Sequence, residues 1–335
     1  MNSESQSGPS QRVLVTGGSG FIGTNLVDAY LSAGAAVLNV DVLPPRNRAH
    51  ASVWRDVDVM NARQLRDAFA AFRPTVVFHL AARTDLDESG NLDSYAVNTA
   101  GVANVIDGIS ATDSVERSFF ASTRLVFDID YVPMHEFDYR PSTLYGQSKA
   151  RGEELVRAAG SALGTWTILR PTGIWGPWFG VPYRDFFATI ERGWYVHPAG
   201  RVVRKSFGFV GNTVHQLLWL ASAQASEVDR KVLWIADYEP ILVKDWADSI
   251  QRAMSARRIP SLPVSVLRAA ALAGDAVRSL GVKHPPLTTF RLDNMLTDML
   301  YRTDELEQIV GALPFTTDQG VQTTVEWMRE QRRAS

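Results

Sequence analysis

A tyrosine and a lysine lie one helical turn apart in the segment Tyr145-Gly-Gln-Ser-Lys149, which opens a helical pattern. Positions i and i+4 share one face of a helix, so the phenol and the ammonium are predicted to point the same way. A tyrosine at its ordinary pKa near 10 is a poor base at neutral pH. A neighbouring lysine charge favours the phenolate and suits the pair to proton transfer. Tyr145 and Lys149 are therefore the first candidate catalytic residues.

A second chemical pattern occupies residues 13–23, which read VLVTGGSGFIG. The apolar run is typical of a buried parallel strand. Gly17 allows a tight turn, Gly20 lets a pyrophosphate approach the backbone, and Gly23 lets the next helix pack on its strand. The free N–H groups at the start of that helix favour a phosphate. Asp41 ends the next apolar run about 20 residues after Gly23, the offset of a carboxylate that binds the adenosine ribose. The pattern predicts dinucleotide binding.

The elements that must position these residues alternate between apolar runs and helical patterns, which predicts βαβ units. Strands are predicted at 13–16, 36–41, 53–56, 76–80, 118–122, 167–170 and 232–236, and helices at about 20–33, 62–72, 92–110, 145–159 and 213–225. The expected fold class is α/β, a doubly wound parallel-sheet Rossmann fold with a smaller, mostly helical C-terminal substrate domain. The Tyr145–Lys149 pair then stands at the carboxyl edge of the sheet, where ligands of such folds bind.

Composition shifts along the chain predict its domain organisation. Residues 1–10 are polar and are expected to form a disordered tail. Residues 11–170 are predicted to form the dinucleotide-binding Rossmann domain, to which 207–236 returns. Residues 171–206, rich in proline, glycine and tryptophan, and 237–330 are predicted to form the substrate-binding region. A long irregular segment in a compact domain is usually a functional loop.

Six segments in the same order resemble the extended short-chain dehydrogenase/reductases, a family that includes nucleotide-sugar epimerases and dehydratases. They are the TGxxGFIG-like loop at 16–23, Asp56-Val57, His79-Leu-Ala-Ala82, Asn98, the YxxxK pair and the RPxxxYGP-like segment at 170–177. The resemblance implies NAD as the cofactor, held by Gly17, Gly20, Phe21, Ile22, Gly23, Asp41, Asp56, Val57, Leu80, Ala81, Ala82, Asn98, Tyr145, Lys149 and Pro171. Asp41 favours NAD over NADP, because a carboxylate repels a 2′-phosphate.

The resemblance also implies a hydroxyl partner for Tyr145. Aligning Val126-Phe127 on the family's Val-Tyr places Thr123 at the catalytic position, with Ser122 one residue earlier. Successive strand side chains alternate faces, so only one of the two can face the substrate. We predict Thr123 rather than Ser122. Its hydroxyl would donate to the substrate oxygen while Tyr145 moves the proton.

Departures from the family pattern narrow the reaction. Arg124 and Leu125 stand where 4,6-dehydratases carry Asp-Glu, and leucine cannot transfer a proton, so dehydration is not expected. Arg124 either contacts an anion or faces solvent at the end of a strand. Gly173 replaces an asparagine that touches the substrate diphosphate in many relatives. Substrate-binding residues are predicted to be Thr84, Ser122, Arg124, Gly173, Arg204 and Lys205, with the last two forming either a diphosphate site or a solvated loop.

Composition excludes several function classes. A net charge of −2 provides no basic surface for a nucleic acid. No cysteine is present, which removes disulfides, thiolate metal sites and a cysteine nucleophile. His79 and His197 lack metal-ligand spacing and are predicted to be structural, so no metal site is expected. The apolar stretch 262–280 contains Arg268, Asp275 and Arg278, which predicts an amphipathic helix; no membrane partner and a cytoplasmic location are expected.

The leading hypothesis is an NAD-dependent nucleotide-sugar epimerase or 4-keto reductase that works at C4 by Tyr/Lys/Thr acid–base chemistry and hydride transfer. The alternative is a dehydrogenase of a 3β-hydroxysteroid-type or other alcohol, because RPTGIWGP resembles that branch. A non-enzymatic alternative is an NAD-sensing or scaffold protein. The resemblance further implies a homodimer, in which the stretches 92–109 and 144–159 pair across a two-fold axis.

Overall fold

The computed structural model describes residues 11–86, 90–129, 131–279 and 287–334. The predicted disordered tail at 1–10 lies outside these described residues. The chain separates into two compact units, the first from Met1–Thr172, Val210–Ala236 and Thr303–Leu313, and the second from Gly173–Phe209, Asp237–Arg302 and Pro314–Ser335. These units are defined by packing alone, and the predicted assignment of cofactor and substrate regions stays a prediction.

Strands and helices alternate through the first half of the chain. The strands are β1 (Arg12–Thr16), β2 (Ala36–Asp41), β3 (Trp54–Asp56), β4 (Val76–His79), β5 (Arg117–Ala121), β6 (Thr165–Pro171), β7 (Gly173–Trp175), β8 (His197–Ala199), β9 (Arg204–Lys205), β10 (Phe207–Phe209), β11 (Lys231–Ile235), β12 (Ile241–Leu242) and β13 (Ser261–Pro263). The α-helices are α1 (Phe21–Ser32), α2 (Ala62–Phe72), α3 (Ala100–Ser110), α4 (Leu144–Ala159), α5 (Tyr183–Glu191), α6 (Val210–Ser222), α7 (Ala225–Val228), α8 (Val243–Met254), α9 (Val264–Ser279), α10 (Thr289–Leu296), α11 (Asp304–Val310) and α12 (Thr317–Ala334).

The first unit is built on a seven-stranded parallel sheet in the order β11-β6-β5-β4-β1-β2-β3. Thr16, at the end of β1, stands opposite Val40 of β2 and His79 of β4. The strand order reverses beside β1, which makes the carboxyl ends of β1 and β4 the point where doubly wound sheets bind ligands. The predicted fold class is confirmed.

Burial on both faces explains why these apolar runs form a parallel sheet. Leu14 and Val77 have no exposed surface and pack in a core cluster with Phe69 of α2, Val105 of α3 and Val156 of α4. Successive strand residues point to opposite faces of the sheet. Val13 and the residues in register with it therefore point to the face opposite Leu14 and Val77. There α1, α6 and α11 pack against one another. Apolar side chains on both faces are what a sheet covered on both sides requires.

Two sequence predictions differ from the structure. The helix predicted at 92–110 is broken: Leu92–Asn98 is a 3₁₀ helix, and α3 starts only after Thr99, whose φ of −124° and ψ of −71° are not helical. The break lets the Asn98 side chain bond to the loop after β4 instead of pointing along the helix. The segment 171–206 is also less irregular than predicted, because α5 and three short strands lie within it.

The second unit holds short paired strands and helices around an aromatic core. β10 pairs with β7, β12 with β9 and β13 with β8. Trp175 is fully buried, and its ring centroid lies 5.2 Å from that of Phe209 and 5.3 Å from that of Trp246. Gly320 of α12 passes so close that a side chain there would meet the Trp175 ring at 2.9 Å. The tryptophan of the RPTGIWGP segment therefore serves packing.

Candidate active site

The loop between β1 and α1 is shaped for close approach to the backbone. Gly17 has a φ of +75°, and a side chain there would collide with the backbone of Ala81. A side chain on Gly23 would strike the Gly17 carbonyl oxygen. Gly20 is the N-cap of α1, and no side chain of the described residues caps that helix. The helix therefore presents free N–H groups and its positive end, which fits a pyrophosphate.

The Asp41 carboxylate is held in place at the end of β2. The Ser19 N–H donates to its Oδ2 and the Leu43 N–H to its Oδ1, each at 3.0 Å. The Trp54 indole donates to the Asp41 carbonyl at 2.9 Å. The carboxylate is thus fixed beside the glycine loop, in a position suited to a ribose 2′-hydroxyl.

Replacing Asp41 by alanine is expected to weaken NAD binding by about tenfold or more, because a hydrogen bond to a charged acceptor contributes roughly 1.5–3 kcal/mol. Asp41→Asn keeps the acceptor oxygen for Ser19 and removes the charge. That variant should therefore lose less NAD affinity and gain affinity for NADP. Calorimetric titration of both cofactors checks this, and tighter binding of NADP than of NAD by the unaltered protein would contradict it.

The remaining predicted cofactor residues lie along the same edge of the sheet. Asp56 ends β3 and is exposed, Val57 is half-buried, and Pro171 ends β6. The Leu80 N–H donates to the Thr16 carbonyl at 3.0 Å, which holds the 80–82 segment beside β1. Phe21 and Ile22 form the first turn of α1. The part that each of these residues takes in binding the cofactor stays a prediction.

Asn98 is buried and ties the edge of the sheet to α4. Its Oδ1 accepts from the Arg83 N–H at 2.9 Å, and its Nδ2 donates to the Arg83 carbonyl and to the Ser148 Oγ, each at 2.9 Å. Ser148 directly precedes Lys149. Asn98, which lies just before α3, therefore holds the turn of α4 that carries Lys149 through its bond to Ser148.

His79 is buried at the end of β4. Its Nδ1 lies 2.7 Å from the Thr16 Oγ1, and its Nε2 is buried with no hydrogen-bond partner among the described residues. Burial, aided by the charge of Lys149, lowers the pKa of His79 to about 3. The ring is neutral at pH 7. In the described part of the chain, no group of three or more histidine and acidic side chains could hold a metal ion.

Thr123, Tyr145 and Lys149 come together where β5 and α4 meet. All three are buried, and the Thr123 side chain lies close enough to the Tyr145 hydroxyl to lower its pKa slightly. Thr143 caps α4 by accepting from the Gly146 N–H at 3.0 Å. A side chain on Gly146 would collide with the Leu125 carbonyl oxygen, so glycine lets α4 begin directly against the turn after Thr123.

Burial sets the protonation of this group. It raises the pKa of Tyr145 to about 12, against a smaller lowering by the Thr123 side chain. It lowers the pKa of Lys149 to about 8, against a smaller raising by Glu153. The expectation that Lys149 depresses the tyrosine pKa is wrong for this structure, because a water-poor site disfavours the phenolate. Tyr145 is protonated at neutral pH and is ready to donate to a carbonyl oxygen.

Ser122 points away from Tyr145. Its Oγ donates to Oε1 of Glu153 in a short hydrogen bond on the buried side of β5. Thr123, one residue later, faces Tyr145. The two side chains thus lie on opposite faces, as strand alternation requires, and the catalytic role of Thr123 stays a prediction.

We therefore expect Thr123→Ala to affect mainly the turnover rate and Ser122→Ala to affect mainly the stability of the fold. Thr123→Ala should slow turnover by about 10²-fold, the usual effect of losing one hydrogen-bond donor to the reacting oxygen. Ser122→Ala should leave turnover near normal but lower the free energy of unfolding by about 1–3 kcal/mol, because buried Glu153 loses a donor. Steady-state kinetics and urea unfolding of both variants check this; the reverse assignment of effects would contradict it.

A buried ion pair behind the site escaped sequence reasoning. Glu153 accepts from the Arg170 Nε at 2.9 Å, from its Nη2 at 2.6 Å, and from the Tyr139 hydroxyl at 2.9 Å. Both charged side chains are only 2% exposed. The signal available was a glutamate four residues after Lys149 and the arginine of the RPxxxYGP-like segment. The pair joins α4 to β6, and through Ser122 it also reaches β5.

Arg124 and Thr84 complete the predicted residues of the first unit. The Arg124 Nη1 is buried and has no hydrogen-bond partner among the described residues. Thr84 lies exposed in the segment after β4. A buried guanidinium nitrogen without a partner is costly. Arg124, adjacent to Thr123, is thus a candidate for contact with a polar or anionic group of the substrate.

The predicted diphosphate residues lie in the second unit and are engaged with the protein. The buried Lys205 donates through its Nζ to the Asn294 carbonyl at 2.8 Å. Arg204 pairs with Asp298, with 3.3 Å between Nη2 and Oδ2. The space beside Gly173 is filled, since a side chain there would collide with the rings of Tyr183 and Phe207. Lys205 is therefore occupied by a protein carbonyl, whereas the Arg204 side chain stays 54% exposed beside Asp298.

Comparison with known proteins places the chain among NAD-dependent enzymes. The family described as the NAD dependent epimerase/dehydratase family matches residues 13–198. A 3-beta-hydroxysteroid dehydrogenase of Mycolicibacterium neoaurum is 26% identical over 329 residues, covering 92% of this chain and 89% of that protein. An N-acetyl-alpha-D-glucosaminyl-diphospho-ditrans,octacis-undecaprenol 4-epimerase of Escherichia coli O157:H7 is 23% identical over 321 residues and covers 94% of both.

A solved structure shows the same fold. The UDP-glucose 4-epimerase of Thermotoga maritima, solved with UDP-glucose, matches with a TM-score of 0.72 at 20% identity, covering 96% of this chain and 99% of that one. Across the described residues, no helix is long and apolar enough to span a bilayer. The cytoplasmic location stays a prediction.

Proposed function

The chain belongs to the NAD dependent epimerase/dehydratase family, and we propose that it interconverts a secondary alcohol and its ketone through Thr123, Tyr145 and Lys149. The resemblance found in the sequence is thereby confirmed. The protein is an NAD-dependent enzyme of the extended short-chain dehydrogenase/reductase type, which sets aside the sensor and scaffold alternatives. NAD, when bound, accepts or returns the hydride.

The proposed roles follow from burial and hydrogen bonding. Thr123 donates its hydroxyl hydrogen to the substrate oxygen and holds that oxygen beside the phenol. Tyr145, protonated because burial raises its pKa to about 12, gives its proton to the oxygen as a ketone is reduced and takes it back in the reverse direction. Lys149 adds positive charge near the phenol and binds the nicotinamide ribose. The observation that supports this scheme is the burial of Thr123, Tyr145 and Lys149, with the Thr123 side chain beside the Tyr145 hydroxyl.

For the substrate we propose a lipophilic ring alcohol of the 3β-hydroxysteroid type. The observation that carries this choice is the engagement of Lys205 by Asn294 and of Arg204 by Asp298. Arginine and lysine side chains make the strong charge-assisted contacts to a diphosphate, and Lys205 is already occupied here. The Mycolicibacterium neoaurum relative, which covers 92% of this chain, is a 3-beta-hydroxysteroid dehydrogenase by name and supports the same choice.

The second candidate is the nucleotide-sugar epimerase or 4-keto reductase that the sequence analysis favoured. The buried Nη1 of Arg124, next to Thr123, supports it, because a phosphate or sugar oxygen would supply the missing partner. The Escherichia coli relative is a 4-epimerase of a diphosphate-linked sugar by name and supports it as well.

An assay with both substrate classes decides between these candidates. The purified protein is mixed with NAD and either a 3β-hydroxysteroid or UDP-glucose, while NADH absorbance and sugar composition are followed. We expect NADH to accumulate with the steroid and to be absent with Tyr145→Phe. Conversion of UDP-glucose to its 4-epimer without net NADH would instead establish the second candidate. Reaction with neither class would overturn the substrate proposal.

We also propose that the protein is a homodimer, as the family resemblance implies. Within the stretches 92–109 and 144–159, the apolar residues Tyr95, Val102, Val105 and Val156 are buried within the chain itself. Leu92, Ile106 and Leu155 retain exposed surface and are available to a partner. Light scattering at micromolar concentration should give twice the chain mass of 37.0 kDa, and particles of one chain mass would contradict the dimer.

A further inference from the structure

Helix α9 presents an uncharged outward side. It packs inward through Leu267 and Ala271 against Leu292 of α10. By helical periodicity the opposite side carries the exposed Ser265 and six exposed apolar residues that we call the α9 face: Val266, Ala269, Leu272, Ala273, Ala276 and Val277. Leu272 is 65% exposed, Val266 49% and Val277 42%. The outward side of this helix is therefore apolar.

Ordinary surface helices carry charge on the side away from the core, and α2 of the same chain follows that rule. It buries Leu65 and Phe69 and exposes Arg63, Arg66 and Asp67. The outward side of α9, which lies within the described residues, carries no charged side chain. An apolar outward side on a 16-residue helix is typical of a surface that meets another phase or partner.

The charges near the α9 face are positive. Asp275 accepts hydrogen bonds from the N–H and the hydroxyl of Thr289, so the single acid of α9 is bound to α10. Arg268 flanks the α9 face and Arg278 lies in its last turn, and both are exposed. The neighbouring Phe290 is 66% exposed and adds an aromatic ring beside the C-terminal half of the helix.

We propose that the α9 face docks on an anionic phospholipid surface, with the helix lying in the plane of the headgroups. Its apolar side chains enter the boundary with the acyl chains, and Arg268 extends from the flank to the phosphates. Arg278, seven residues after Ala271, points to the packed side of α9 and takes no part. The absence of a spanning helix in the described residues agrees with a helix that lies on a bilayer. This proposal revises the expectation of no membrane partner.

A second copy of the chain fits the α9 face less well. A helix of 16 residues is about 24 Å long at 1.5 Å per residue, so a strip ~10 Å wide offers roughly 240 Å². A stable interface needs about 800 Å² from each partner. Shallow insertion combined with attraction to anionic headgroups has no such requirement.

The inference goes beyond the proposed function and does not depend on the substrate. If the substrate is a lipophilic alcohol, docking also brings the enzyme to the phase in which that substrate dissolves. If the substrate is a nucleotide sugar, docking still occurs, because it follows from α9 alone. The two proposals can therefore fail separately.

Co-sedimentation of the full chain with vesicles tests the docking. We expect the protein to bind phosphatidylcholine vesicles that contain phosphatidylglycerol, and to bind pure phosphatidylcholine vesicles more weakly. Added salt should reduce the binding without abolishing it. Val266→Glu/Leu272→Glu should reduce binding at least about tenfold, since each change places a charge in the boundary region. The matched control Val132→Glu/Met134→Glu alters side chains 85% and 86% exposed in the other unit and should bind as the unaltered protein does.

Arg268→Gln keeps the apolar side chains and should weaken the preference for phosphatidylglycerol, whereas Arg278→Gln, on the packed side of α9, should leave it unchanged. All variants should keep their thermal unfolding midpoint and their turnover of dispersed substrate. Equal loss of binding in the Val132/Met134 control, or no binding of the unaltered protein to anionic vesicles, would overturn the proposal. A two-chain mass that falls to one chain in Val266→Glu/Leu272→Glu would show that a second copy covers the α9 face instead.

Discussion

Replacing Tyr145 by phenylalanine is expected to slow turnover by about 10²- to 10⁴-fold, the range for loss of a positioned proton-transfer group. The change removes one oxygen and keeps the ring, which packs 6.4 Å from the ring of Tyr95. NAD affinity and folding should therefore be unaffected. The loss should appear in kcat rather than in binding, because the phenol acts on the substrate oxygen during the chemical step.

Tyr30→Phe is the matched control. Tyr30 is a second buried tyrosine of the same unit, and its hydroxyl has no hydrogen-bond partner among the described residues. Removing that hydroxyl should leave turnover unchanged. Single-turnover kinetics at saturating NAD compare the two variants. Near-normal turnover by Tyr145→Phe would show that the proton moves through another group.

Removing the Glu153 carboxylate is expected to cause the largest loss of stability of any single change described above. Glu153→Ala should lower the free energy of unfolding by about 3–5 kcal/mol, because it leaves the guanidinium of Arg170 buried without its counter-charge. The Arg170 guanidinium is stacked 5.0 Å from the Phe127 ring centroid and 5.5 Å from that of Trp234, so it has little room to reach water.

Glu154→Ala, one residue away on the same helix, is the control. Glu154 pairs with Arg151 on the surface, where both side chains are well exposed. Such pairs contribute about 0–1 kcal/mol. Urea unfolding of both variants measures the contrast. Equal losses would mean that the buried pair contributes no more than a surface pair.

The glycine loop and the catalytic pair could be predicted because their signals are local. Gly17, Gly20 and Gly23 lie within one turn and its helix, and Tyr145 and Lys149 lie within one helical turn. The strands around them are apolar runs bounded by polar residues, which a sheet covered on both faces requires. Thr123 could be preferred to Ser122 because the family resemblance aligns it with the catalytic position, while strand alternation adds that only one of the two can face the substrate.

Features that depend on distant partners could not be predicted. Nothing in the sequence indicated that Lys205 and Arg204 have partners within the protein. Those partners, Asn294 and Asp298, come about 90 residues later in the chain. Their engagement follows from tertiary packing. The Glu153–Arg170 pair likewise joins two elements that only the folded sheet brings together. The break at Thr99 depends on a buried contact of Asn98 with the loop after β4, which no helical pattern records.

The central claim is that a hydride moves between NAD and a secondary alcohol at the Thr123, Tyr145 and Lys149 site. A 3β-hydroxysteroid deuterated at the carbinol carbon, incubated with the enzyme and NAD, tests it most directly by mass spectrometry of the cofactor. The account predicts NADH one mass unit heavier than normal, formed in step with the ketone and far more slowly with Tyr145→Phe. Ketone formed alongside unlabelled NADH would contradict hydride transfer from that carbon, and with it the proposed mechanism.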